Sequence, residues 1–296
     1  MKIKDNQIFL VLAVSFLLFT SCKAQDIIKK GAELTLVAEG FDFTEGPAVD
    51  KNGDVYFTDQ PNDRIVKWNA GDNSVSDWMK PSGRSNGLYF DHDGNLLSCA
   101  DEKNELWRID MEKNVTVLID EFEEKKLGGP NDLWVDPNGG IYFTDPLYDR
   151  PWWEPTENRI AERRVYYATP DMGEVKIVDA DFVMPNGIIG SADGKTLYIA
   201  DIGDKKTYAY TINEDGSLAD RKLFCELGSD GMTLDNQGNV YLTGDGVTVY
   251  DKSGKQIKHI AVPEKWTANV TFGGSNQGIL FITAMDSVYT LEMAVN

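Results

Sequence analysis

One phrase recurs six times along the chain and limits its fold more than any other feature. An apolar run enters a turn of D-x-x-G type, and a second apolar run leaves it and ends on Asp. It reads Val49-Asp-Lys-Asn-Gly53 leading to Asp59, Phe90-Asp-His-Asp-Gly94 to Asp101, and Val135-Asp-Pro-Asn-Gly139 to Asp145. It returns as Ser191-Ala-Asp-Gly194 to Asp201, Leu234-Asp-Asn-Gln-Gly238 to Asp245, and Ser275-Asn-Gln-Gly278 to Asp286. Successive turn glycines are 41, 45, 55, 44 and 40 residues apart. Each phrase is a β-hairpin signature. Third strands are expected at 64–68, 105–109, 164–167 and 207–210, and fourth strands at 74–78, 115–119, 175–178 and 221–224. Four short antiparallel strands repeating about every 45 residues describe a β-propeller blade. The chain therefore reads as all-β, a six-bladed propeller in one domain over 33–296, with no sustained helical period. The sixth unit stops at its third strand, 287–291, so the leading strand 33–39 is expected to supply the fourth and close the ring.

Ahead of the propeller, Lys2 and Lys4 precede an apolar run over 8–19 and then Thr20-Ser21-Cys22. This is the pattern of a secretory leader over 1–21, and the run is short for a spanning helix, which needs roughly 20 residues. Small residues followed by Cys resemble a bacterial lipoprotein signal, with an ordinary signal peptide as the alternative. That resemblance implies lipidation at Cys22, a tether over 22–32 and a place in the cell envelope, facing the periplasm, with membrane contact only through the anchor. Excess acid, 48 Asp+Glu against 29 Lys+Arg for a net charge of −19, argues against nucleic acid as a partner, because phosphate is read by Lys and Arg. Cys99 and Cys225 lie in strand-like segments of different repeats and are expected to be free and buried.

Counting back eight residues from each repeated glycine gives Glu45, Asn86, Asn131, Asn186 and Asp230, and in the sixth unit Asn269 lies nine before Gly278. Each blade thus starts its first strand on a carboxylate or carboxamide. First strands line the axis of a propeller, so these side chains converge. A lone Asn-Gly or Asp-Gly is ordinarily just a turn, but turn chemistry does not demand one offset in six units. A ring of oxygens, two of them anionic, suits a hard divalent cation, Ca²⁺ foremost, with Zn²⁺, Mg²⁺ or Mn²⁺ as the other candidates. His92 and His259 both fall outside the ring, which disfavours a Ser-His-Asp triad.

With these residues in hand, Glu45-Gly-Pro47, Pro130-Asn-Asp132, Phe143-Thr-Asp-Pro146, Pro185-Asn-Gly187, Ser229-Asp-Gly-Met232 and Asn269-Val-Thr-Phe-Gly-Gly274 resemble the regucalcin/gluconolactonase family of six-bladed calcium propellers. The resemblance implies one divalent metal held by Glu45, Asn186 and Asp230. It also implies that Asn131 contacts metal-bound water or substrate. Members acting on sugar lactones often carry Arg two residues before that Asn, where this chain has Gly129. The implied reaction opens a sugar lactone by attack of metal-activated water, with Asp230 as general base and Asn131 orienting, or with a metal-activated hydroxide. Arylesterase-like and phosphotriesterase-like hydrolysis are the related alternatives, and a non-catalytic tethered binding propeller with a structural Ca²⁺ is the alternative of another class. Asn86, Asn131 and Asn269 are left to face substrate. The long third interval holds an excursion over 147–164 carrying Arg150, Trp152, Trp153, Glu154, Arg159 and Arg163. It reads equally as a lid whose tryptophans stack on a sugar or as a rim cover.

Overall fold

The computed structural model describes residues 26–154 and 156–296. The leader, Cys22 and the first residues of the expected tether lie outside them. Among the described residues no helix is long and apolar enough to cross a membrane.

Six four-stranded antiparallel sheets follow one another. The first blade is Thr44–Val49, Val55–Asp59, Arg64–Trp68 and Val75–Met79, and the second is Ser85–Phe90, Leu96–Ala100, Glu105–Ile109 and Val115–Ile119. The third is Leu133–Val135, Ile141–Asp145, Arg164–Ala168 and Val175–Asp179, and the fourth is Pro185–Gly190, Thr196–Asp201, Lys206–Ile212 and Leu218–Cys225. The fifth is Met232–Leu234, Val240–Gly244, Gly246–Tyr250 and Gln256–Ile260, whose two outer strands the sequence pattern did not reveal. The sixth takes Asn269–Gly273, Ile279–Ala284 and Ser287–Glu292 from the end of the chain and Thr35–Glu39 from its start. That closing strand runs antiparallel to the last, with Thr35 opposite Thr290 and Glu39 opposite Ser287, as expected. A two-stranded hairpin, Glu121–Phe122 with Lys125–Lys126, lies between the second and third blades.

Second strands such as Val55–Asp59 and Ile141–Asp145 are buried along their whole length. Neighbouring blades cover both of their faces, so they read as continuous apolar runs rather than alternating ones. Fourth strands face outward and carry Val115, Val117, Ile177, Leu223 and Ile257 into solvent. Blades meet through aromatic side chains. Phe57 and Trp68 of the first blade lie 5.6 and 5.4 Å from Phe281 of the sixth. Cys99 and Cys225 are free and buried.

The turn aspartates cap their own hairpins. Asp50 Oδ1 accepts the N–H groups of Asn52 and Asp54, and Asp91, Asp136 and Asp235 repeat the arrangement. These are Asx turns, and they account for the repeated Asp without any catalytic role. Residues 26–32 do not hang free as part of a tether. Ile27 is buried, Lys29 N–H bonds to Glu292 O, and Ala294 N–H bonds to Ile27 O. Apolar contact with Met293 and Val295 ties this segment to the last blade.

Candidate functional site

The ring residues sit where three of the innermost strands break register. Bulges fall between Glu45 and Ala48, Ser85 and Leu88, and Pro185 and Ile188. A bulge bends the strand and re-aims a side chain, here Glu45, Asn86 and Asn186. Four ring residues are followed by glycine: Gly46, Gly87, Gly187 and Gly231. These Asn-Gly and Asp-Gly pairs are not turns. A Cβ on Gly87 would meet Asn131 O at 2.5 Å, and one on Gly231 would meet Asn269 Cγ at 1.9 Å. The glycines let adjacent blades close on the axis, and Gly87 N–H donates to Asn131 O across one such junction at 2.7 Å.

Buried aspartates of the second strands brace the segments that lead into the ring. Asp59 Oδ1 accepts the N–H groups of Asp42 and Phe43, Asp145 Oδ2 accepts that of Gly128, and Asp201 accepts those of Val183 and Met184. Each therefore fixes the approach to Glu45, Asn131 or Asn186. The sequence pattern displayed these aspartates as the ends of the repeat but not their purpose.

At the centre the expected residues come together. Asn269 Nδ2 donates to Glu45 Oε2 at 3.1 Å, which also accepts the Gly46 N–H. Asn186 Nδ2 donates to Asp230 Oδ1 at 2.7 Å and to Tyr148 Oη at 3.0 Å. Trp266 Nε1 donates to Asp230 Oδ2 at 2.6 Å. Asn86 and Asn131 are buried in the same ring, and the Asn131 side chain bonds to nothing among the described residues. Three residues join that the sequence reading did not assign: Asp132, Tyr148 and Trp266. Asp132 had a signal, because it stands where four other blades place the post-ring glycine. Tyr148 and Trp266 come from loops outside the repeat and had none.

Acidic charge is concentrated here, and the Arg150 guanidinium is the cation that acts on Asp230. Burial pushes Glu45 well above the ordinary carboxylate range, and repulsion from Asp230 and then Asp132 adds to it. Burial also raises Asp132 to about 7 and Asp230 to about 6, the latter partly offset by the Trp266 and Asn186 N–H donors. The carbonyl oxygens of Asn86 and Asn186 are buried with no partner among the described residues, a state that costs roughly 1–3 kcal/mol per group. Among the described residues no three His, Cys, Asp or Glu side chains form a metal cluster on their own. The donor set is instead carboxylate and carboxamide oxygen, the chemistry of a hard divalent cation. Glu45, Asn186 and Asp230 fit that group, and the orphaned Asn186 Oδ1 is the oxygen it would satisfy.

Beneath the ring, a cavity of about 810 Å³ follows the axis to the face that bears the hairpin turns. Leu88, Val135, Ile188 and Met232 line it, and its inner end reaches Asp132 and Asn269. Its walls are largely apolar, so the polar chemistry belongs to the ring above it. Both histidines stay away from the ring: His92 Nε2 pairs with Asp136 O and His259 Nδ1 with Thr248 Oγ1.

The excursion folds over the second blade. Trp153 and Trp152 both donate their indole N–H to Asp101 O, at 2.7 and 3.4 Å, and Arg150 Nε donates to Asp101 Oδ2 at 2.7 Å. The two tryptophans are thus bound to the blade rim, with Arg84 over Trp152 and Arg159 over Trp153. Tyr148, rather than either tryptophan, carries this segment into the ring.

The model of the SMP-30/Gluconolactonase/LRE-like region matches residues 43–286. The chain belongs to this family. A gluconolactonase of Zymomonas mobilis is 27% identical over 295 residues, covering 88% of this chain and 82% of the relative. The diisopropyl-fluorophosphatase of Loligo vulgaris is 25% identical over 276 residues, covering 84% and 88%. A solved gluconolactonase of Xanthomonas campestris superposes with a TM-score of 0.83 at 28% identity, covering 90% of this chain and 91% of that one. The family match takes in the first five blades, the two inner strands of the sixth and every ring residue, which bears out both the family reading and the propeller.

Proposed function

We propose that this protein is a divalent-cation-dependent hydrolase that opens a sugar lactone at the axial ring. The observation that carries the proposal is the convergence of Glu45 and Asp230 with the unpartnered Asn186 oxygen at one axial point. The lactonases among its relatives support the reaction class. Glu45, Asn186 and Asp230 would hold the cation, with Ca²⁺ best matched to an all-oxygen set. When bound, such an ion supplies Lewis-acid polarisation of the ester carbonyl.

The remaining work falls to side chains of the chain itself. Asn131, buried with its carboxamide free, orients water or the lactone at the ring. Asp230 takes the proton of the attacking water through lone pairs that the Asn186 and Trp266 bonds leave free. A cation held by this carboxylate would lower its proton affinity from the raised value that burial alone gives it, so it acts as a weak base. Trp266 and Asn186 fix its orientation, so the proton acceptor is preorganised. Asn86 and Asn269 complete the polar wall.

Asp230→Asn and Glu45→Gln are expected to abolish hydrolysis of glucono-1,5-lactone followed by pH-stat while leaving the fold intact by circular dichroism. Wild-type rates in both variants would refute the assignment. A second reading, hydrolysis of an organophosphorus ester at the same ring, is favoured by the match to the diisopropyl-fluorophosphatase of Loligo vulgaris. Fluoride release from diisopropyl fluorophosphate, compared with lactone opening, ranks the two. We further propose that Cys22 is lipidated and anchors the propeller to the cell envelope. Incorporation of labelled palmitate that Cys22→Ala abolishes would support this, and equal labelling of the variant would reject it.

A further inference from the structure

We propose that Arg150 is a substrate-binding residue that donates to the hydroxyls of the bound sugar lactone, an assignment that rests on the lactonase reading. The guanidinium is held by one edge only: Nε bonds to the buried Asp101 carboxylate, and among the described residues Nη1 and Nη2 donate to nothing. They are not among the buried unpartnered atoms, and the side chain keeps 22% of its surface open. Arg150 is therefore anchored at its inner edge and presents two donors outward.

The guanidinium stands beside the ring. The guanidinium lies over the Tyr148 ring at 5.4 Å and over Trp152 at 5.6 Å. Tyr148 Oη accepts from Asn186, so Arg150 stands one residue away from the proposed cation ligands. An arginine fork holds two adjacent oxygens in a fixed geometry, which suits neighbouring hydroxyls of a polyhydroxylated ring.

The third blade cannot offer such a group from the residue two before Asn131. Gly129 has φ of +123°, and a Cβ there would lie 2.7 Å from Cη2 and 2.8 Å from Cζ2 of Trp153. That indole is itself fixed by its bond to Asp101 O. The excursion thus closes one approach to the ring with Trp153 and supplies a cationic donor from Arg150. Asp101 serves both, its backbone oxygen holding Trp153 and its buried carboxylate holding Arg150.

The test compares glucono-1,5-lactone with δ-valerolactone, which has the same ring and no hydroxyls, in the cation-loaded enzyme. Arg150→Ala is expected to lower kcat/KM for the hydroxylated lactone at least roughly tenfold more than for δ-valerolactone, the loss falling in KM. Arg150→Lys keeps a charge beside Asp101 but not the fork, so it should hold the excursion, read as unchanged tryptophan fluorescence, without restoring KM. Asp101→Ala, which keeps the arginine and removes its anchor, reports the cost of loosening the excursion alone. Equal losses on the two lactones in Arg150→Ala, or full recovery in Arg150→Lys, would make Arg150 an anchor and overturn the proposal. Unchanged KM in Arg150→Ala would overturn it as well. Wild-type protein inert toward both lactones would instead overturn the lactonase reading and this assignment with it.

Discussion

Gly231→Ala tests how tightly the blades close on the axis. An alanine Cβ would lie 1.9, 2.0 and 2.3 Å from Cγ, Oδ1 and Nδ2 of Asn269. Gly231 is not among the residues with positive φ, so the backbone accepts alanine and only the side-chain clash remains. Asn269 must then swing away. It loses its bond to Glu45 Oε2 at 3.1 Å and the bond its Oδ1 accepts from Val270 N–H at 2.8 Å. One bond to a carboxylate is worth roughly 1.5–3 kcal/mol and one neutral bond about 1 kcal/mol, so the expected loss is about 2–4 kcal/mol. Urea unfolding in the presence of chelator measures it. In an Asn269→Ala background the clashing atoms are gone, and Gly231→Ala should then cost under about 1 kcal/mol, a coupling that a double-mutant cycle reads directly. A single variant within about 0.5 kcal/mol of wild type, or an equal loss in both backgrounds, would refute the reasoning.

Deleting residues 31–39 removes the strand paired with Ser287–Glu292 and should lower the melting temperature by several degrees or more; an unchanged value would reject the closure. Burial raises Asp145 to about 7 and Asp101 to about 6. The folded state therefore keeps protons that the unfolded chain, with carboxyls near 4, has released. Their contribution is fully present below about pH 4 and is lost as pH rises through 6 to 7, so stability should fall from pH 5 to pH 8, and Asp145→Asn should flatten that fall. A slope identical in the variant would dismiss the role of Asp145. Trp266→Phe removes the indole donor to Asp230 and should weaken Ca²⁺ binding by roughly 10–100-fold in calorimetry, the usual cost of losing a ligand's support; an equal affinity would show that the bond is idle.

The fold was readable because a propeller repeats itself. Six hairpin phrases at near-constant spacing located every inner strand, and the shortfall in the sixth unit pointed to closure by the N-terminal strand. The fifth blade's outer strands escaped notice because Gly246–Tyr250 follows its neighbour after a single residue, Asp245, a shorter connection than in the other blades. Ring positions were legible for the same reason as the fold, by their common offset. What they do to the backbone was not: the Asn-Gly pairs look like turns but are close contacts between blades. Loop residues were the least legible, since neither Tyr148 nor Trp266 shares the repeat. The tryptophans of the excursion drew attention by composition, yet their indole donors are committed to Asp101 O, and the unpaired donors belong to Arg150.

The central claim is that the ring opens lactones only with a divalent cation in place. Purified protein stripped with EDTA, and then supplied with Ca²⁺, is to be followed by pH-stat on glucono-1,5-lactone above the spontaneous rate. The account expects activity to vanish with chelator and return with the ion. Full activity in the stripped protein would contradict it.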